Sequence, residues 1–223
     1  LCVLAWVLVQ GAGTDPAIAE SVCNYGLIAS ELTGVGAPGV SIPMGEGMYC
    51  VVDPAPEYLS IFTSMFLHGG WMHLLGNMWF LWLFGNNIED SMTRPRFIAF
   101  YLLCGIAAAL LQVFTNPASP IPMIGASGAI SGVMGGYLVL YPKVKVYTLV
   151  PLGFFATTWA IPAWGMLLYW MALQLLGGLG AGEGGVAFWA HIGGFLAGVV
   201  LIRLFARRDR VILHSAGHYR PVQ

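Results

Sequence analysis

Apolar residues run along this chain in long stretches, separated by shorter polar segments. The pattern predicts helices from about Gly70 to Gly85, Pro95 to Phe114, Met123 to Tyr141, Ile161 to Leu179 and Val186 to Phe205. Several of these runs reach about 18 residues, enough to cross a hydrocarbon core of roughly 30 Å as helix. The opening LCVLAWVLVQ is too short to span and reads as the tail of a first helix cut short. Residues 12–57 form a loop rich in Gly, Pro, Ser and acidic groups, a length that is often functional. Tyr58 to Leu67 is apolar but short, and is expected to lie in the membrane interface. Pro151 and Pro162 divide the next apolar region, so Tyr147 to Ala160 reads as a membrane-hugging lead-in to the fifth long helix. The fold class expected is all-α: a polytopic membrane bundle of six helices over residues 1–205, with a cytoplasmic tail over 206–223.

Composition agrees. The 223 residues are 58% hydrophobic and 9% charged, against about 25% charged in soluble domains, and the mean hydropathy is +0.77. A formal net charge of -1 gives no basic excess to suggest nucleic acid. Charge position carries more than its sum. Arg94 and Arg96 fall between the second and third helices, and Lys143 and Lys145 between the fourth and fifth. Arg203, Arg207, Arg208, Arg210 and Arg220 close the last helix and fill the tail, while the long first loop has only acidic charges. By the positive-inside rule those basic segments face the cytoplasm, which six spans with both termini inside satisfy. Cys2 and Cys104 lie in apolar runs and read as packed small hydrophobes. Cys23 and Cys50 share the long loop and can pair if it faces an oxidising side.

Polar groups inside spans are costly, so each asks for a reason. In this topology the second, fourth and sixth helices run from outside to inside. His73, Ser127 and His191 then lie about 5–8 Å below the outer boundary at roughly 1.5 Å per residue. Asn77 is one turn deeper than His73 on the same face. A lone buried histidine is more often structural; three helices delivering polar groups to one depth is a different matter. Ser127, Ser131 and Gly135 make a stripe of small residues on one helix, and Ala187, His191, Gly194 and Gly198 make one on another. Such stripes let helix backbones approach closely in lipid, which would set the Ser127 hydroxyl against the His191 imidazole.

A serine hydroxyl needs a base to become a nucleophile, and histidine is the usual one. No Asp or Glu lies within the last three helices, and Glu183 sits in the loop before the last, so a Ser–His dyad is favoured over a triad. Acyl transfer also needs donors for a developing oxyanion; His73, Asn77 and the Ser127 amide are the candidates. Gly125 and Gly128 would let backbone approach a substrate closely. A metal site from His68, His73 and His191 would lack HExxH and any acidic partner, so no metal is expected.

The ordered set FLHGGWMHLLGN, GASG (Gly125 to Gly128) and AHIGGFLAG resembles the rhomboid family of intramembrane serine proteases, in its basic six-helix bacterial form. The match runs from about Tyr58 to Leu201. The resemblance implies Ser127 as nucleophile and His191 as general base, with His73, Asn77 and the Ser127 amide as oxyanion hole. It implies a structural role for His68, single-pass transmembrane substrates in a bacterial cell membrane, no cofactor, and a cavity open to the extracytoplasmic side. Helix 5 and a cap at about Gly180 to Gly185 would be its moving parts. Two positions depart from the family pattern: Leu59 and Ser60 stand where many members carry Trp-Arg. Ser131 stands where some carry an aromatic residue stacked on the catalytic histidine, so a hydroxyl or water contact at Ser131 is the expected substitute. The rival readings are a solute transporter and a catalytically silent binder of membrane helices. The transporter would call for paired broken spans, which are not seen, and the silent binder for loss of Ser127 or His191.

Overall fold

The computed structural model describes residues 1–36, 38–45, 47–152, 155–180 and 186–215. The chain opens with α1 (Cys2–Leu8), α2 (Ala17–Tyr25) and α3 (Ala29–Thr33), then a hairpin of β1 (Ser41–Gly45) and β2 (Met48–Val51), and α4 (Ser60–Thr63). The long helices follow: α5 (Trp71–Asp90), α6 (Arg94–Thr115) and α7 (Ser127–Leu140). A second hairpin, β3 (Lys145–Leu152) and β4 (Phe155–Pro162), leads to α8 (Ala163–Leu179), α9 (Phe188–Phe205) and α10 (Arg208–Ser215). By length and composition α6 and α9 are each able to cross a membrane, while α7 and α8 are shorter apolar helices.

Helix α7 is the hub. Every residue from Gly128 to Tyr137 is buried, because α5, α6, α8 and α9 all pack around it. Its contact with α9 is backbone on backbone: a Cβ added at Gly194 or at Gly198 would collide with the carbonyl of Gly128 or Gly132, and one at Gly135 with that of Phe195. The small stripe of α7 that meets α9 is therefore Gly128, Gly132 and Gly135. Ser127 and Ser131 lie beside that seam, on the wall of a cavity. On the α5 side Phe84 meets Tyr137 edge to face at 5.0 Å between centroids, and Asn87 Nδ2 donates to the Tyr137 hydroxyl at 3.2 Å. That contact, with Ile88 fully buried, carries α5 past Gly85 to Asp90.

Four expectations change. The chain is mostly helical rather than all-α, since it has two antiparallel hairpins. The lead-in at Tyr147 to Ala160 is strand, paired from Lys145↔Pro162 to Leu152↔Phe155; its Val, Thr, Tyr and Trp residues favour the pleated form. The long first loop carries two helices and a hairpin. They are tied by a Cys23–Cys50 disulfide with Cα atoms 5.4 Å apart, whereas Cys2 and Cys104 are buried and unbonded. Finally, α7 begins at Ser127 instead of Met123. Met123 pairs with Leu27 in an isolated bridge, and Gly125, at φ +126°, turns the chain into the helix. The expected cap at Gly180 to Gly185 falls mostly outside the described residues; Gly180 itself ends α8.

Candidate active site

A helix of 14 residues is roughly 21 Å long, shorter than its neighbours, so its first residue stands at the floor of a recess. That residue is Ser127. Above it opens a cavity of about 960 Å³, whose walls include Met72, Phe80, Met123, Ile124, Trp170 and Phe188. His73 and Asn77 of α5, Ser127 and Ser131 of α7 and His191 of α9 are among its polar groups, and among the described residues none that lines it is Asp, Glu, Lys or Arg.

The serine and histidine predicted to meet do meet: His191 Nε2 lies 2.8 Å from Ser127 Oγ. They come from helices whose glycine seam brings the two backbones together, so the hydrogen bond is a consequence of that packing. The other ring nitrogen, Nδ1, lies 2.7 Å from Gln174 Oε1 on α8. If Nδ1 carries the proton, the Nε2 lone pair faces the hydroxyl, the arrangement a general base requires.

His73 sits in the first turn of α5. Its Nδ1 accepts a hydrogen bond from the Gly69 N–H at 3.2 Å, which leaves Nε2 as the protonated nitrogen. A Cβ on Gly125 would lie 2.8 Å from that Nε2 and 3.6 Å from Ser127 Oγ, so the His73 donor and the serine hydroxyl flank one point beside Gly125. Asn77 is buried. Its Nδ2 donates one hydrogen to the His73 carbonyl at 2.9 Å, leaving a second for another acceptor. The Ser127 N–H belongs to the first turn of α7, where no intrahelical carbonyl is available. His73, Asn77 and Ser127 thus bring donors to the one cavity that holds the hydroxyl.

Gly125 and Gly128, expected to let backbone approach a substrate, make their close approaches to neighbouring protein: Gly125 to His73, and Gly128 to Ala108 and Ala190. His68 is fully buried. Its peptide N–H donates to Gln10 Oε1, and its carbonyl accepts from Gln10 Nε2, both at 2.8 Å. Its ring packs edge-on against His73 at 5.1 Å. Burial and the neighbouring His73 push its pKa down to about 4.

The expectation for Ser131 is corrected. Its hydroxyl donates to the Ser127 carbonyl at 2.6 Å, the usual back-bond of a helical serine, and its own hydrogen is thereby committed away from the imidazole. Beside Ser127, His191 is met from α8: by Gln174 at Nδ1, and by Trp170 with its ring centroid 5.8 Å away. Gln174 was the missed residue. Its signal was there, the one amide in the otherwise apolar run 163–179, but a search for a carboxylate passes over it. Gln112 of α6 was missed likewise; its Oε1 accepts the Ala190 N–H at 3.1 Å and so satisfies a donor in the first turn of α9.

Residues 55–208 match the Rhomboid domain family model. The chain is 30% identical over 158 residues to Rhomboid protein 1, mitochondrial, of Saccharomyces cerevisiae, covering 66% of this chain and 42% of that protein. It is 28% identical over 161 residues to Rhomboid-like protein 11, chloroplastic, of Arabidopsis thaliana, covering 68% and 54%. To the rhomboid protease GluP of Bacillus subtilis it is 39% identical over 83 residues, covering 37% and 16%. The chain thus spans about half or less of the length of these curated relatives. With the family model matched over most of its length, and the ordered helices carrying His73, Ser127 and His191 onto one cavity, the chain belongs to the rhomboid family.

Proposed function

We propose that the protein is an intramembrane serine endopeptidase that cuts single-pass membrane proteins in or near their transmembrane segments. The observation that carries this reading is the 2.8 Å contact between Ser127 Oγ and His191 Nε2 at the floor of a cavity that no charged side chain lines among the described residues. In the reaction, Ser127 Oγ attacks the scissile carbonyl carbon as its proton passes to His191 Nε2. The new oxyanion accepts hydrogen bonds from the Ser127 N–H, Asn77 Nδ2 and His73 Nε2. The C–N bond then breaks, His191 delivers its proton to the leaving amine, and water, deprotonated by the same imidazole, releases the acyl group from Ser127. These steps call on no metal or organic cofactor.

The accompanying topology has six spans in one membrane domain over residues 1–205, a cytoplasmic tail over 206–223, and the cavity open to the extracytoplasmic side of a bacterial cell membrane. Its support is the placement of the basic residues beside α6, α9 and the β3–β4 hairpin. A cavity walled by Met72, Phe80, Trp170 and Phe188 suits such a substrate: a transmembrane helix that unwinds there offers apolar side chains and one peptide bond.

The test is cleavage of a single-pass reporter in proteoliposomes by wild type, Ser127→Ala and His191→Ala. Cutting by wild type and by neither variant is the expected result. Reporter captured but left intact by the wild type, with Ser127 unreactive to a serine-directed probe, would favour a silent binder.

A further inference from the structure

We propose that Gln174 of α8 is the positioning residue of the site, the neutral third member that holds His191 in the tautomer able to accept the serine proton. The inference rests on the reading of Ser127 and His191 as nucleophile and base. Four observations support it. Gln174 Oε1 is 2.7 Å from His191 Nδ1, on the side of the ring opposite Ser127. Gln174 is 9% exposed and does not line the cavity, so it touches the imidazole without touching a substrate. Its amide has a preferred sense, because Nε2 faces the Trp170 carbonyl at 3.5 Å. Turning the amide over would set two acceptor oxygens together, and would donate to Nδ1 and strand the imidazole proton on Nε2, against Ser127. Finally, among the described residues, the groups around His191 from each packed helix are Ser127 of α7, His73 of α5, Gln112 of α6, and Trp170 and Gln174 of α8. None of them is a carboxylate.

The physical logic follows from where the site lies. An aspartate in this place would fix the tautomer and also stabilise the imidazolium, but at the cost of a second charge among apolar helices. A glutamine oxygen fixes the tautomer without the charge. Because Trp170 and Gln174 share one face of α8 a turn apart, the orientation of the base depends on α8 staying docked against α9.

The experiment compares wild type, Gln174→Leu, Gln174→Glu and Ser127→Ala in proteoliposomes on the same reporter. Gln174→Leu is expected to lower kcat on the order of 10²–10³-fold with KM little changed, the signature of a wrongly held tautomer. Gln174→Glu is expected to keep activity and move the acidic limb of the kcat–pH profile upward, since a carboxylate favours the imidazolium. Nitrogen-15 spectra of labelled His191 in the wild type should show the proton on Nδ1. A Leu variant with wild-type kcat, an acidic limb unmoved in the Glu variant, or a proton found on Nε2 would each overturn the proposal. Should Gln174→Leu fail to fold, the Glu profile and the nitrogen spectra decide alone. Cutting that persists in Ser127→Ala sinks the reading of the site itself; a dead Ser127→Ala beside an unimpaired Gln174→Leu removes only Gln174.

Discussion

Gly125 and His73 are in contact that leaves no room for a side chain: a Cβ on Gly125 would lie 2.8 Å from His73 Nε2 and 2.9 Å from its Cε1. The same glycine holds φ +126°, a conformation that L side chains rarely adopt. Its N–H donates to the Ser64 carbonyl at 2.9 Å, so the turn is fastened from both sides. Gly125→Ala therefore displaces His73 and strains the entry to α7 together. Strain of this kind costs about 1–3 kcal/mol. In the proposed reaction His73 is an oxyanion donor, and its loss adds on the order of 10²-fold in kcat. Reporter cleavage alongside thermal unfolding checks this, with activity expected to fall well beyond what the stability change explains.

The α7–α9 seam gives a prediction about stability with its own internal control. Gly198→Ala puts a methyl group into the Gly132 backbone, where rigid main chain cannot yield as a flexible side chain would. Overpacking costs typically about 1–3 kcal/mol, and this site belongs at or above the upper end. At Gly165 of α8 an added Cβ meets only Ile161 and Pro162 at 3.9 Å. Gly165→Ala should be neutral, or stabilise by up to about 1 kcal/mol through helix propensity. Unfolding midpoints in detergent for both variants are the measurement, and equal midpoints would contradict the seam.

In the first loop, Cys23 of α2 and Cys50 of β2 close a segment with a sequence separation of 27. A cross-link of that span is worth about 3–4 kcal/mol in the loop-entropy account. Cys23→Ser should lower the unfolding midpoint and slow the non-reduced chain on a denaturing gel to the mobility of the reduced one. Matching mobilities of wild type with and without reductant would deny the bond.

His68 sets a pH dependence. It is buried and neutral in the fold, with its pKa lowered from 6.5 to about 4. Between those values the unfolded chain binds a proton that the folded one refuses, so stability rises with pH through this window. The His68 contribution is fully present above about pH 6.5 and is lost as pH falls toward 4. Unfolding midpoints measured from pH 4 to 7 should climb, and the slope should flatten in His68→Phe if that variant keeps the Gln10 clamp on the backbone.

What could be read from the chain follows from cost. His73, Asn77, Ser127 and His191 stand out in apolar runs because hydrocarbon penalises them, and their order along three helices was enough to bring them to one place. Gly194 and Gly198 were legible for the same reason, since their spacing is periodic along one helix. The β3–β4 hairpin was not, because strand pairing joins residues such as Lys145 and Pro162 across the chain, and no local period records the partner. The start of α7 was misplaced for a similar reason: Met123 is held by Leu27, nearly a hundred residues earlier. Gln174 was overlooked because a neutral amide does not resemble the acid that a triad leads one to seek.

The burial of α7 on every side has a consequence for how such a protein would measure a substrate. In the proposed topology, lipid touches α6 and α9, which can tilt when a bilayer thins or thickens. The hub helix has no lipid-facing surface from Gly128 to Tyr137, so its position relative to the cavity walls is set by the glycine contacts with α9 and not by direct contact with acyl chains. Ser127 then keeps a constant height relative to the cavity walls while the bilayer around it changes. A substrate helix is gauged against a fixed protein ruler, and a shift in membrane thickness moves the substrate along that ruler instead of moving the blade.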